Sequence, residues 1–286
     1  MSVIGRLREH APPYALAGPA VLFLVALFAV PALYLVQTSL QTGSFETGYR
    51  FEWAWGNFAD GVDAYAPQLV RSVAYAGAAT ALGLLITYPL MYWIARRGGR
   101  LKPLLLLCVV APFFVTFLIR TLAWQTILQD GGTIVSALRA TPLLGDDESL
   151  LATPFAVICG LTYNYLPLMA LPLYATLERL DGRLLEAADD LYASPAVTFV
   201  RVTLPLSLPG VIAGCLLMFI PACGDYVNAS LLGSPDTSMI GNVIQSKFLV
   251  VADYPTAAAL SCVVMAAILT IVIAWVRAVG ARRLTG

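Results

Sequence analysis

Six long apolar runs, at about 14–36, 69–95, 103–128, 151–176, 208–227 and 256–279, alternate with shorter polar connections along the chain. Each run is near or above the roughly 20 residues that a helix rising 1.5 Å per residue needs to cross a hydrocarbon layer about 30 Å thick. In that solvent a segment must satisfy its own backbone hydrogen bonds, so the pattern predicts an all-α membrane protein of six transmembrane helices in one domain, 1–286. The first run follows Arg6 and Arg8, as a secretion signal would, but it exceeds the 7–15-residue apolar core of such a signal and reads as a retained helix. Small residues four apart, Gly210 with Gly214 in "GVIAG" and Ala79 with Gly83, mark faces on which helices can approach closely. Pro167 and Pro172 predict a bend in the fourth span.

The polar connections carry an orientation. Lys and Arg beside span ends are retained on the cytoplasmic side. Arg6 and Arg8, Arg96, Arg97, Arg100 and Lys102, Arg179, Arg183 and Arg201, and Arg277, Arg282 and Arg283 all fall on one face. The other face has Arg50, Arg139 and Lys247, with Arg71 at a span edge, among acids that include Glu46, Glu52, Asp60, Asp63, Asp146, Asp147 and Glu148. Both termini are therefore expected in the cytoplasm. The outer connections, about 37–68, 129–150 and 228–255, are too small for receptor domains, and Trp53 and Trp55 in the first read as interfacial anchors.

Composition agrees with lipid as the main solvent: 59% of residues are hydrophobic and 12% charged, where a soluble domain carries about 25% charged. A formal net charge of zero gives no argument for nucleic acid. Cys108, Cys159, Cys215, Cys223 and Cys262 all lie in apolar segments and read as small core residues. His10 is the sole histidine, which excludes a His-based metal or catalytic centre, and no Ser/His/Asp constellation is available. There is no GxxxxGK[ST] phosphate loop, since "RRGGRLKP" at 96–103 lacks the spacing, so any ATP and Mg would be bound by another polypeptide.

One polar stretch is organised differently. In 178–207, Asp181 is a helix N-cap, Leu184, Ala187, Ala188 and Leu191 recur at helical spacing, and Glu186, Asp189 and Asp190 occupy other faces. Ser194-Pro195 starts a second helix, and Pro205 and Pro209 are expected to end it before the fifth span. Such a pair can lie on lipid or grip a protein. Membrane-surface helices carry Lys and Arg on the polar face, so the acids here favour a protein partner with basic residues.

"EAADDLYASPAVTFVRVTLP", 186–205, resembles the EAA loop of permease subunits of binding-protein-dependent ABC importers: EAA, three residues, Gly, nine residues, Ile-x-Leu-Pro. Glu186, Ala187 and Ala188 match, as do Val202, Leu204 and Pro205; Tyr192 departs, standing where the family has a glycine that permits positive φ. "FLIRTLAW" at 117–124, "TPFAVICGLTYNYLPLMALPLYATLERLD" at 153–181, "LPGVIAGCLLMFIPACGDYV" at 208–227 and "MIGNVIQSKF" at 239–248 are similar to the spermidine/putrescine type. The resemblance implies a MetI-like fold in a bacterial inner membrane and a non-enzymatic transport subunit. It also implies a coupling helix pair between spans four and five, seated on a cytoplasmic ATPase through Glu186, Leu184, Ala188 and Leu191. The implied partners are a second permease subunit, preferably a paralogue, two ATPase subunits, a periplasmic solute-binding protein and membrane lipid.

Charges inside spans are candidates for a solute path. Arg120 in span three and Asp225 near the outer end of span five stand out, with Tyr226 and with Tyr163, Asn164 and Tyr165 in span four as an acidic and aromatic lining for a cation. Arg120 and Asp225 could equally pair with each other. An ion-driven secondary transporter predicts midplane coupling carboxylates and an internal repeat, neither of which is clear. An intramembrane protease needs a second aspartate within a span, and none is present. The solute could also be an opine or an amino-acid derivative.

Overall fold

The computed structural model describes residues 13–139, 145 and 149–284. Arg6, Arg8, His10, Asp146, Asp147 and Glu148, and the side chains of Arg282 and Arg283, lie outside the described residues. The chain divides into two compact units: one holds the residues up to Ala64 with Lys247–Met265, the other Tyr65–Ser246 with the segment from Ala266 on.

The first unit opens with α1, Pro13–Ser39, whose apolar window has no buried residue. Apart from its last turn, where Ser39 is buried and its carbonyl accepts from Asn57, the described part of this helix is exposed and apolar, which suits lipid or another subunit. After it come two strands that the six-helix pattern does not predict, β1 (Gln41–Ser44) and β2 (Gly48–Phe51), antiparallel with Gln41 opposite Phe51. The strands are so short that period-2 alternation is not visible in the sequence. Their turn is closed by Ser44 and Thr47, each of whose backbone N–H groups donates to the other's hydroxyl, at 3.0 and 3.3 Å. The Tyr49 hydroxyl donates to the Ala252 carbonyl, and its ring lies 5.4 Å from that of Tyr254. Trp53 and Trp55, expected as interfacial anchors, are exposed and stacked at 6.3 Å in a run of rings from Phe51 to Phe58.

α2, Gly56–Arg97, starts well before the apolar run at 69; it is two helices joined at a kink, and the part from Tyr65 on belongs to the second unit. Its first turns carry Asp60 and Asp63, polar enough to hide a helix from a search for spans. Tyr65 (φ −122, ψ 19) interrupts the helical backbone.

The second unit contains the remaining helices apart from the stretch Lys247–Met265. The third span is not the single rod expected over 103–128. A 3₁₀ turn (Gly99–Leu101), α3 (Lys102–Val110) and a second 3₁₀ turn (Ala111–Phe114) meet α4 (Phe117–Leu128) at 93°. Pro112 starves the helix of a donor and Val115 is extended (φ −83, ψ 138), so the chain turns where apolar composition alone shows continuity. Counting this pair as one gives six candidate spans among the described residues; otherwise there are five. α5 (Thr133–Arg139) follows, its Arg139 paired with Asp130 at 3.1 Å. α6, Pro154–Glu178, is capped by Thr153, whose hydroxyl accepts from the Ala156 N–H at 3.2 Å.

Next are α7 (Gly182–Asp190), α8 (Pro195–Thr198), a π-helical turn (Phe199–Thr203) and α9 (Leu204–Cys223). α10 (Val227–Leu232), a 3₁₀ turn (Pro235–Thr237) and α11 (Ile240–Leu249) precede α12 (Tyr254–Leu284).

The core of this unit lies between α6 and α9, with Met169, Leu173, Leu177 and Met218 fully buried. Gly210 and Gly214 make that packing possible: a Cβ on Gly210 would stand 2.5 Å from Thr176 Oγ1, and one on Gly214 2.8 Å from the Met169 carbonyl. Cys215 and Cys223 are buried as expected, whereas Cys108 on α3 is exposed.

The seam makes a prediction of opposite signs. Gly214→Ala drives a methyl group against backbone and should lower the thermal midpoint of the detergent-purified chain, at a cost of about 1–3 kcal/mol. Gly77→Ala, where a Cβ meets nothing within 4 Å, should leave the midpoint unchanged or raise it by helix propensity. Equal effects would dismiss the close approach of α6 and α9.

Candidate functional site

The 178–207 loop is built on local chemistry that its sequence announces. Asp181 Oδ1 accepts from the Arg183 N–H at 3.0 Å, and Ser194 Oγ from the Val197 N–H at 3.4 Å, so both expected N-caps are in place. α7 ends in a Schellman turn: the Ala193 N–H donates to the Ala188 carbonyl at 3.0 Å and the Tyr192 N–H to the Asp189 carbonyl at 2.9 Å. That turn requires a left-handed residue, and Tyr192 supplies it at φ +56. The position has kept the glycine's geometry without the glycine, at the steric cost a side chain meets there.

Exposure sorts the loop. Glu186, Ala187, Asp189 and Asp190 are exposed, as are Leu184, Leu191 (81%) and Tyr192 (98%). Ala188, expected beside Leu184 and Leu191 on a contact face, is instead turned inward at 9% exposure. Spacing places it on the apolar stripe but cannot say which edge of the stripe the chain itself covers. Tyr192 extends the exposed apolar face. Two tethers hold the base of the loop: Arg96 Nη1 donates to the Leu180 carbonyl at 3.2 Å, and Lys102 pairs with Glu178 at 3.4 Å.

The second helix does not stop at Pro205 and Pro209. It runs from Pro195 through the π turn into α9 as one span, Pro195–Cys223. A proline at 205 removes a donor, and the chain adjusts by widening the turn before it, so that the Leu204 N–H reaches the Phe199 carbonyl five residues back. The Ser207 hydroxyl then donates to the Leu204 carbonyl at 3.1 Å and shares a 2.8 Å hydrogen bond with Tyr88. Tyr88 and Tyr92 of α2 set their rings edge-on to Phe199, at 5.5 and 6.2 Å. Leu204 and Pro205 thus lie inside a continuous rod.

Four of the candidate path residues meet in a buried polar network. Asp225, 5% exposed, accepts from the Tyr165 hydroxyl at 2.7 Å, the Asn228 N–H at 2.7 Å and Asn228 Nδ2 at 3.0 Å. Asn164 Nδ2 donates to Thr121 Oγ1 and to Asn228 Oδ1, both at 3.0 Å. Arg120, 6% exposed, does not pair with Asp225: its Nη1 donates to the Asn164 carbonyl at 3.3 Å, and its guanidinium lies 5.5 and 5.7 Å from the rings of Phe113 and Phe117. Tyr163 and Tyr226 stay outside the network, half-exposed; Tyr163 packs on Trp124 at 5.6 Å, and the Tyr226 carbonyl accepts from Asn242 Nδ2 at 2.9 Å.

Thr121 and Asn228 are central to this network and escape the sequence reading, which looks for charges. Their signal is present but faint: Thr121 adjoins Arg120, and Asn228 stands three residues after Asp225, the spacing at which a side chain caps a following helix. Among the described residues no group of three or more His, Cys, Asp or Glu could hold a metal ion.

Residues 79–286 match the family model described as binding-protein-dependent transport system inner membrane component. The chain is 38% identical over 240 residues, 84% of each sequence, to the spermidine/putrescine transport system permease protein PotB of Haemophilus influenzae. To the protein of that name from Escherichia coli it is 36% identical, covering 84% of this chain and 87% of that one. Among solved structures it resembles a chain of a bacterial ABC transporter involved in the import of alginate, with a TM-score of 0.70 at 18% identity over 99% of both chains. It also resembles one of the MetNI methionine ABC transporter, at 0.56 and 18% over 75% of this chain and 95% of that one.

Tyr192→Gly should raise the thermal midpoint of the purified chain, by about 1 kcal/mol of relieved strain less glycine's own entropy cost; a lowered midpoint would show that the tyrosine ring makes a stabilising contact. Asp225→Asn places an NH2 group among three donors and should destabilise the chain by about 1–3 kcal/mol, read as a lower midpoint in the same assay. An unchanged midpoint would remove Asp225 from the framework.

Proposed function

The chain belongs to the family of binding-protein-dependent transport system inner membrane components, and from that membership we propose that it is a permease subunit that imports polyamines or a closely related small cationic solute at the expense of ATP hydrolysed elsewhere. The observation that carries the proposal is the unbroken rod from Pro195 to Cys223, which makes the exposed EAA loop and a membrane span one mechanical piece. The whole of 1–286 acts as a single permease domain, with the basic ends of the spans and both termini in the cytoplasm.

In this reading α7 sits in a groove of a cytoplasmic ATPase subunit, which binds the ATP and Mg. Glu186 meets a basic residue there, and Leu184, Leu191 and Tyr192 supply apolar contact. When two ATPase subunits close, α7 is carried with them. The Schellman turn fixes α7 to α8, the π turn is locked by Tyr88, Tyr92 and Ser207, and α9 transmits the displacement, packed so closely on α6 that the two move together. A second permease subunit, a paralogue by preference, completes the path, and a periplasmic solute-binding protein delivers the solute.

Asp225 contributes an acidic side chain just past the end of α9, and the half-exposed rings of Tyr163 and Tyr226 offer faces to an ammonium group. Arg120, Asn164 and Tyr165 hold this arrangement rather than touch the solute.

The test is reconstitution of the chain with its partner subunits in proteoliposomes and measurement of ATP-dependent uptake of labelled spermidine and putrescine. Uptake competed by polyamines and not by opines or amino-acid derivatives is the expected result; the reverse pattern would overturn the solute class. Glu186→Arg should lower solute-stimulated ATP hydrolysis more than about tenfold while the complex still assembles. Normal stimulation in that variant would take Glu186 out of the coupling.

A further inference from the structure

The fold of the isolated chain does not explain Tyr192. The Schellman turn after α7 holds it at φ +56, a backbone conformation that glycine enters freely and that any residue with a side chain enters at a steric cost. Nothing within the chain offsets that cost. The side chain is 98% exposed, so its ring and hydroxyl rest against almost nothing of the protein that carries them. Backbone strain persists where the surrounding structure or a function maintains it, and here the side chain that causes the strain stands in solvent.

The same turn aims the ring. The Tyr192 N–H donates to the Asp189 carbonyl at 2.9 Å and the Ala193 N–H to the Ala188 carbonyl at 3.0 Å, so the backbone on both sides of the ring is fixed before any partner arrives. A tyrosine has only two side-chain torsions to lose on binding, and it presents a broad apolar face with a polar tip. Its surroundings are of two kinds. Leu191, 81% exposed, continues the apolar surface, while Glu186, Asp189 and Asp190 are exposed acids that take part in none of the ion pairs among the described residues. Anionic lipid headgroups repel such a surface. It is complementary to a protein pocket that is apolar inside and rimmed by Lys or Arg.

We propose that Tyr192 is the anchor by which this chain selects its own ATPase subunit: the ring enters an apolar pocket rimmed by basic side chains, with Leu191 at its edge, and an ATPase groove that lacks the pocket meets the ring as a clash. The inference rests on the docking of α7 to an ATPase subunit and adds the residue that makes the pairing exclusive. It accounts for a tyrosine standing where glycine would leave the isolated chain more stable, because the stability forgone in the free chain is recovered on assembly.

In the experiment, the full-length chain, paired with its second permease subunit in nanodiscs, is titrated with the purified ATPase subunit of the same importer, and the thermal midpoint of each variant is measured beside its affinity. Tyr192→Gly should raise the midpoint yet weaken ATPase binding at least about tenfold, whereas Tyr192→Phe, which keeps both ring and strain, should bind within about threefold of the native chain. A tyrosine with only a structural role would move midpoint and affinity in the same direction. Native affinity in Tyr192→Gly overturns the proposal, as does a loss in Tyr192→Phe as large as that in Tyr192→Gly. Glu186→Arg in the same titration separates two failures: if it abolishes binding and Tyr192→Gly does not, α7 docks and only the anchor is wrong; if neither variant changes binding, the docking of α7 falls and the anchor with it. With p-benzoylphenylalanine in place of Tyr192, irradiation should crosslink position 192 to the ATPase subunit. Crosslinks confined to lipid would place the ring on the membrane and overturn the proposal.

Discussion

Hydrocarbon offers a peptide group nothing to bond to, and this structure is largely the consequence of satisfying backbone groups inside a chain rich in proline. Each proline within a span deletes a donor. The chain answers in three different ways. In α6 the helix runs on through Pro167 and Pro172 without a break. Before Pro205 the backbone widens into a π turn, in which the Leu204 N–H donates to the Phe199 carbonyl. At Pro112 the helix gives way altogether, and the third span breaks at 93°.

Of these, the π turn has the largest functional weight. Had the helix ended at Pro205, as its two prolines suggest, the EAA loop would hang from the membrane on a flexible joint and could transmit little. A widened turn preserves the hydrogen-bond ladder and hence stiffness, while the rings of Tyr88, Tyr92 and Phe199 brace it from the side. Aromatic contacts of this kind add roughly 0.5–1.5 kcal/mol beyond the area they bury. A π turn is also a site of stored irregularity, often found where helices serve a function.

The polar network follows the same rule for side chains. Two opposite groups 5–6% exposed bond to neutral partners and not to each other: Asp225 accepts from Tyr165 and Asn228, while Arg120 donates to one carbonyl beside two aromatic rings and leaves its buried Nε without a partner. Neutral amides can donate and accept at once, so Asn164 and Asn228 knit α4, α6 and α10 together where a bare ion pair would join only two points.

The apolar periodicity of the chain was enough to place five spans and to find the sixth in outline, because burial in lipid demands a length that sequence states directly. The N-caps at Asp181 and Ser194 and the close seam at Gly210 and Gly214 were equally legible, since each depends on residues adjacent in the chain or one turn apart. The β-hairpin at 41–51, the polar start of α2, the break at 115–116 and the run-through at Pro205 were not, for a proline says that a donor is missing and not how the fold will replace it. The inward turn of Ala188 and the joining of Thr121, Asn164 and Asn228 around Asp225 belong to the tertiary structure alone. They depend on which surfaces the packed helices leave open and which donors arrive from distant segments, and neither quantity is a property of any local stretch of sequence.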